Sequence, residues 1–228
     1  MHILLGFLFL MVPGPLKQVE QMNIQIHTDQ QAIFREYSND NFSQTLRVAN
    51  NRIEIKTQST DYLQLELNFR VVPDERYISK LSPELKKALA TILKGSYTLK
   101  DYMVNISHFL RHNIRYSENK HSQDPQTVIE NKRAHCVGFS NITRVFLKGI
   151  GVDARFTQGF YLKKQNGRVV PIPHKWIEIE LANGFLYFYD PQYQKFSSNY
   201  VLVDDSVIFT KIKRFNIELI DYSKKIMN

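Results

Sequence analysis

The stretch NKRAHCVGFSNITRVFLKGIGVDARFTQGFY, residues 131–161, decides the fold of this 228-residue chain. It predicts a helix over 136–148, in which apolar side chains recur at helical spacing, and then a strand over 153–163. Gly149 marks the end of the helix. Cys136 therefore stands where a loop meets a helix N-terminus, and the free N–H groups and the dipole there favour the reactive thiolate.

Cys136 is the only cysteine of the chain. It cannot form an internal disulfide bond, so cysteine usage does not fix the redox compartment. A lone cysteine is most often a small buried apolar residue. The alternative is a nucleophile whose reaction passes through an oxyanion held by the N–H groups of the same helix end. Residues farther along the chain have to decide between these two interpretations.

A predicted hairpin supplies a histidine and an acid downstream of Cys136. Its strands read HKWIEIEL (174–181) and FLYFYD (185–190), so His174 opens the first strand and Asp190 closes the second. His174 lies on the face of the strand opposite to its main apolar face. Trp176 shares that face, as a candidate substrate-binding residue beside His174 or as a packing residue.

The loop of this hairpin determines whether the acid can reach the histidine. A two-residue loop would pair Leu181 with Leu186 and leave Asp190 on the wrong face. A three-residue loop with Gly184 in the left-handed conformation pairs Leu181 with Phe185 instead. Asp190 is then a diagonal neighbour of His174 on the same face, roughly 7–8 Å away between backbones, within side-chain reach. We therefore predict the three-residue register.

Upstream of Cys136, the pattern predicts helices over 83–93, from Thr98 to about 113, and from Pro125 onward. Residues 22–72 alternate and predict three or four antiparallel strands in a small sandwich-like extension, including a hairpin around Asn50-Asn51 and a strand in 62–72. Further strands are predicted at 200–203 and about 207–220. The predicted division is a targeting segment (1–20), a β-rich extension (21–78) and a main domain (79–228).

The N-terminus contains an unbroken apolar run, ILLGFLFLMV, at residues 3–12. Ten residues are too few to span a bilayer but fit the core of a signal peptide. No lysine or arginine precedes the run and no clear cleavage site follows it, so a buried first strand or helix is the alternative. We expect export to the periplasm or cell envelope, with membrane association through this segment as a variant of the same prediction.

The chain is basic, with a formal net charge of +8 and a pI of about 9.4. This charge is compatible with contact with a membrane or an anionic cell-envelope surface. Lysine and arginine are scattered rather than clustered, however, which is typical of a solvated surface and gives no nucleic-acid site. The 43% of hydrophobic residues and the many aromatic ones indicate a packed globular protein.

Two other histidine positions have simpler explanations. His108 and His112 are four residues apart on a predicted helix, as metal ligands can be, but the glutamate of the zinc-protease motif is missing between them. No metal and no cofactor are therefore predicted. His135 precedes the cysteine directly, and we expect its side chain to point away from the thiol.

Taken together, three blocks resemble the transglutaminase-like superfamily: the cysteine block at 131–161, the His-x-Trp-x-Glu block at 174–181, and the Asp-Pro block YDPQY at 189–193. They occur in the family's order and cover about residues 80–195. The resemblance implies an α+β fold with a papain-like core, in which the helix bearing the cysteine packs on an antiparallel sheet. One departure is Ala134, where the family often has glycine, followed by the bulky His135.

The resemblance also implies a mechanism with Cys136 as nucleophile, His174 as base and Asp190 as orienting acid, acting on a protein or peptide through an acyl-enzyme. A cysteine peptidase or amidase is the first hypothesis. A protein-glutamine acyltransferase that cross-links to amines uses the same residues and is the second. A catalytically inactive binding module with the same fold is the third, and the complete set of three residues argues against it.

Overall fold

Two antiparallel sheets and a layer of helices form the protein, of which the computed structural model describes residues 17–28, 30, 33–49, 52–60, 69–118, 122–209 and 215–227. The helices are α1 (Glu75–Ile78), α2 (Pro83–Leu93), α3 (Leu99–Asn113), α4 (Pro125–Asn131) and α5 (Cys136–Lys148). The strands are β1 (Lys17–His27), β2 (Tyr37–Ser38), β3 (Phe42–Ala49), β4 (Arg52–Thr60), β5 (Arg115–Tyr116), β6 (Arg133–Ala134), β7 (Asp153–Gln165), β8 (Arg168–Glu180), β9 (Leu186–Tyr189), β10 (Tyr200–Leu202) and β11 (Asn216–Met227).

The helices begin where side-chain caps satisfy their first N–H groups. The hydroxyl of Ser82 accepts from Leu85 at the start of α2, and Asp124 accepts from Thr127 at the start of α4. Thr98 and Asp101 form a capping box at the start of α3. These local signals are present in the sequence, and the bounds predicted for α2, α3 and α5 are confirmed.

The core sheet has the strand order β10-β7-β8-β9 and carries α5 on one face. Ile177 and Ile179 of β8 are buried in one cluster with Ile142 and Phe146 of α5. The predicted α+β arrangement, with the cysteine-bearing helix on an antiparallel sheet, is confirmed. Trp176 of the same strand is buried in a different cluster, on the other side of the sheet.

The second sheet has the order β11-β1-β4-β3-β2 and confirms the β-rich N-terminal extension. Ala49 pairs with Arg52, as the predicted Asn50-Asn51 hairpin requires, although those two turn residues lie outside the described residues. Its edge strand β11 comes from the end of the chain and pairs with β1. This sheet therefore joins β1–β4 with β11, which the predicted division placed in the domain 79–228.

Buried polar side chains join the two sheets. Asn41 donates to the Phe188 carbonyl at 2.9 Å and accepts from its N–H at 2.9 Å. Gln44 makes the same two-way contact with Leu202, at 3.0 Å and 2.9 Å. These amides continue the hydrogen-bond pattern of a strand across the junction, so they fix how the extension sits on the core sheet.

Three further predictions concern segments that lie wholly or partly outside the described residues. The signal peptide and most of the strand predicted at 62–72 lie outside the described residues; residues 69–72 are not in a strand. The strand predicted at about 207–220 is observed as β11, displaced toward the C-terminus. None of the described helices is long and apolar enough to cross a membrane.

Candidate active site

Cys136 is the first residue of α5 and is half-buried. The preceding strand β6 runs parallel to β5, where the Ser117 N–H donates to the Ala134 carbonyl at 2.8 Å. The Ala134 methyl is buried against Gly138, where an added Cβ would lie only 2.8 Å from it. The alanine therefore packs inward against the helix, and its methyl group does not cover the thiol.

His135 lies closer to the nucleophile than expected. Its Nδ1 accepts the Val137 N–H at 3.3 Å, which makes the imidazole the N-cap of α5, and lies 4.0 Å from Cys136 Sγ. The expectation that this side chain points away from the thiol is wrong, because capping the helix turns the ring toward the first turn. Burial lowers the pKa of His135, which favours the neutral ring that capping requires.

The hairpin that carries the histidine and the acid has the predicted three-residue register. The Leu181 N–H donates to the Phe185 carbonyl at 2.9 Å, and Ile177 pairs with Tyr189. Gly184 has a φ of +83°, the left-handed conformation that this loop needs. The register brings Asp190 to the same face of the hairpin as His174.

His174 and Asp190 form a short buried hydrogen bond, with 2.6 Å between Nε2 and Oδ2. The imidazole is 4% exposed and the carboxylate 0%. Burial has the largest effect on the pKa of His174 and lowers it, but hydrogen bonds and charge interactions with Asp190 and Cys136 outweigh burial. Together they raise that pKa to about 9 from 6.5. Since Asp190 occupies Nε2, the nitrogen left for the thiol is Nδ1.

Asp190 is held by three further donors. The Tyr200 hydroxyl donates to Oδ2 at 2.5 Å, and the N–H groups of Gln192 and Tyr193 donate to Oδ1 at 2.9 Å and 3.3 Å. Together these donors fix the orientation of the carboxylate. Tyr200 was missed in the sequence because β10 is ten residues downstream and nothing in its local pattern points to Asp190.

Trp176 has a different position from the one expected of a substrate-binding residue. Its side chain is 0% exposed and packs in a cluster with Phe188 and Tyr200, while its ring lies 6.3 Å from that of His174. A side chain with no accessible surface does not contact a substrate, so the structure corrects this assignment. The tryptophan supports the imidazole from within the core.

The two histidines of α3 lie on the surface of that helix. His108 and His112 are exposed, with ring centres 5.9 Å apart, and His112 Nδ1 is hydrogen-bonded to the His108 carbonyl. Across the described parts of the chain, no three His, Cys, Asp or Glu side chains converge as metal ligands would.

One family model matches the region that contains this site. Residues 86–191 match the family model of the transglutaminase-like superfamily, which confirms the resemblance inferred from the three sequence blocks. Among curated proteins, no sequence matches the chain.

Several solved structures are similar to the chain at low sequence identity. A proposed cysteine protease from Cytophaga hutchinsonii is 13% identical over 93% of this chain and 89% of that one, with a TM-score of 0.46. The periplasmic domain of TgpA from Pseudomonas aeruginosa, bound to ethylmercury, is 12% identical over 77% and 73%, with a TM-score of 0.44. A TGase is 18% identical over 65% and 43%, with a TM-score of 0.37.

Proposed function

We propose that the protein is a cysteine peptidase or amidase acting through Cys136, His174 and Asp190, because residues 86–191 match the transglutaminase-like family model. The observation that carries the proposal is the buried 2.6 Å bond between His174 and Asp190. It commits one ring nitrogen to the acid and leaves the other for a thiol at a helix N-terminus.

The reaction begins with a proton transfer from the Cys136 thiol to His174 Nδ1. The resulting imidazolium is stabilised by Asp190, which remains ionised and orients the ring. The thiolate attacks the carbonyl carbon of an amide, and the carbonyl π electrons move to oxygen. When the tetrahedral adduct collapses, the C–N bond breaks, the imidazolium proton passes to the leaving nitrogen, and a thioester remains on Cys136.

The first turn of α5 supplies a donor for the oxyanion. As the first helical residue, Cys136 has an N–H without an acceptor in its own helix, and this group lies beside the sulfur. The Val137 N–H donates to His135 instead, so the N–H of Cys136 is the better placed of the two. His174 then activates water to hydrolyse the thioester and regenerate the thiol.

The test is the rate at which iodoacetamide alkylates Cys136 as a function of pH. Wild-type protein should react rapidly at pH 6, where an ordinary thiol with a pKa of about 8.5 is almost entirely protonated. His174→Ala should reduce this rate at pH 6 by about tenfold or more, because the imidazolium that stabilises the thiolate is gone.

His112→Ala is the matched control, since it removes an exposed histidine from the same protein. It should leave the alkylation profile unchanged. A wild-type profile that already resembles a free thiol, or one that His174→Ala does not alter, would overturn the enzyme proposal. It would favour a binding module with the same fold.

Product analysis distinguishes a hydrolase, which uses water as the acceptor, from an acyltransferase, which uses an amine. We propose protein or peptide substrates and water as the acceptor. Digesting a peptide mixture with and without added methylamine should then give new N-termini in both reactions. Methylamine incorporated at glutamine, without cleavage, would instead identify the acyltransferase. Cys136→Ala should abolish either product.

We also propose that the protein acts outside the cytoplasm. The support is the apolar run at residues 3–12, together with a scattered positive charge suited to an anionic envelope surface. Cell fractionation of the full chain tests this, and recovery only with cytoplasmic markers would contradict it.

A further inference from the structure

Three tyrosines surround the exposed side of the candidate site without a role in the proposed chemistry. The rings of Tyr161 and Tyr193 stack with centres 4.6 Å apart and planes at 30°. The Tyr193 ring lies 5.5 Å from the His174 ring, and the Tyr161 ring lies 6.2 Å from it. Two tyrosine rings therefore lie beside the imidazole.

Tyr116 lies on the cysteine side of the same site. It pairs with Ala134 across β5 and β6, two residues before Cys136. Burial, followed by the charge of Glu118 and that of Cys136, raises the pKa of Tyr116. Burial also raises the pKa of Tyr193 to about 12, where the charges of Tyr116 and Cys136 contribute as well. Both phenols are therefore neutral at physiological pH.

Two of the rings are open to solvent. Tyr116 is 54% exposed and Tyr193 is 38% exposed, whereas Tyr161 is half-buried between Tyr193 and Tyr200. Exposed aromatic faces beside a nucleophile offer contact area that the fold itself does not use.

The charge at the rim favours one kind of occupant. Arg111 reaches Gln194, the neighbour of Tyr193, with 2.5 Å between Nη2 and Oε1. The carboxylate of the candidate site, Asp190, is fully buried and already bonded to His174 and Tyr200. The exposed carboxylate of Glu118 accepts from the Tyr116 hydroxyl at 3.4 Å, on the other side of the site. A cationic group over Tyr161 and Tyr193 would therefore meet Arg111, and Asp190 is not free to pair with it.

We propose that Tyr116, Tyr161 and Tyr193 form a subsite that binds an aromatic side chain of the substrate next to the scissile amide. The inference rests on the proposed function and specifies its substrate class as peptides with an aromatic residue at the cleavage site. Stacked and edge-to-face contacts with the two exposed rings supply the selectivity.

The test compares alkylation of Cys136 by N-benzyl-iodoacetamide and by iodoacetamide, with each rate divided by the rate for glutathione to remove intrinsic reactivity. Wild-type protein should prefer the benzyl reagent by about tenfold. Tyr193→Ala should reduce the preference to about twofold or less, while Tyr193→Phe, which keeps the ring, should retain it. Tyr97→Ala, which removes a tyrosine 78% exposed in the loop before α3, should retain it as well.

Tyr116→Ala provides a second variant should Tyr193→Ala fail to fold, because its ring is more than half exposed.

A normalised preference near one in wild-type protein, or a thiol inert to both reagents, would overturn the subsite. A stronger preference for N-(2-aminoethyl)-iodoacetamide would overturn the aromatic class in favour of a cation. His174→Ala should slow both uncharged reagents alike and leave their ratio intact, so failure of the catalytic pair and failure of the subsite are distinguishable.

Discussion

Asp190 Oδ2 is shared by two donors, the imidazole of His174 and the hydroxyl of Tyr200. A carboxylate oxygen that accepts a second hydrogen bond is a weaker acceptor for the first. Tyr200 therefore acts through Asp190 as a positioning residue, and its hydroxyl moderates how strongly the acid holds the imidazolium.

We predict that Tyr200→Phe raises the pKa of His174 by roughly half a unit, because Asp190 Oδ2 is left with one donor fewer. The variant should also lose about 1–2 kcal/mol of stability with the lost hydrogen bond. NMR titration of the His174 ring measures the first effect. Tyr97→Phe serves as the control, and an unchanged titration in Tyr200→Phe would leave the hydroxyl with a structural role only.

The raised pKa of His174 predicts a pH dependence of stability. Its folded-state value of about 9 lies above the unfolded 6.5. The stabilisation of the folded state by protonated His174 is therefore fully present below pH 6.5. It is lost as the pH rises toward 9, and the free energy of unfolding falls by roughly 3 kcal/mol in total. Urea unfolding at intervals from pH 6 to 9.5 measures it. His174→Gln should flatten this decline, whereas His112→Ala should not; an equal slope in all three proteins would refute the assignment.

β7 and β10 approach each other at a position where a side chain has no room. Gly159 is opposite His174 in the β7–β8 pair and opposite Leu202 in the β10–β7 pair. An added Cβ would lie 1.9 Å from the Val201 carbonyl oxygen and 2.8 Å from the Trp176 ring. The close contact brings β10, and with it Tyr200, up to the strand that carries His174.

Gly159→Ala should therefore cost about 3 kcal/mol or more, because backbone must move to admit the methyl group. Gly167→Ala is the informative comparison. Gly167 has a φ of +73° in the β7–β8 turn with open space around it, so only backbone strain of about 1–2 kcal/mol is expected there. Denaturation midpoints rank the two, and a Gly159 variant as stable as the Gly167 variant would contradict the close-approach argument.

Glu178 holds the two sheets together through a buried charge. It is 1% exposed and accepts from Arg155 Nε at 2.6 Å, from Asn39 at 2.9 Å and from the Tyr37 hydroxyl. Burial and this glutamate raise the pKa of Tyr37 to about 12, which keeps the phenol a donor. The extension and the core sheet are thereby linked four residues after His174.

We expect Glu178→Ala to lose about 3 kcal/mol, since Tyr37 and Asn39 lose a buried acceptor while the largely exposed Arg155 can turn to water. Glu180→Ala, at an exposed position on the same strand, should change stability by less than about 0.5 kcal/mol. Urea unfolding of both variants measures the difference. Equal losses would mean that the junction does not depend on this charge.

The sequence by itself determined the helices and the order of the candidate site residues. Caps such as Ser82 and Asp124 and the apolar periodicity of α5 act within a few residues, so they can be read locally. The register of the hairpin could also be inferred, because of the two loop lengths compared, two and three residues, only three puts Asp190 on the face of His174.

Only the tertiary structure decided which side chains surround that pair. Trp176 lies inside the core because Phe42 of β3, more than 130 residues earlier in the chain, joins Phe188 and Tyr200 in the cluster that buries it. Tyr200 reaches Asp190, and β11 pairs with β1, through contacts that no local pattern encodes. Such contacts depend on how whole sheets pack, since burial and hydrogen bonding between distant segments are satisfied only once the chain has folded.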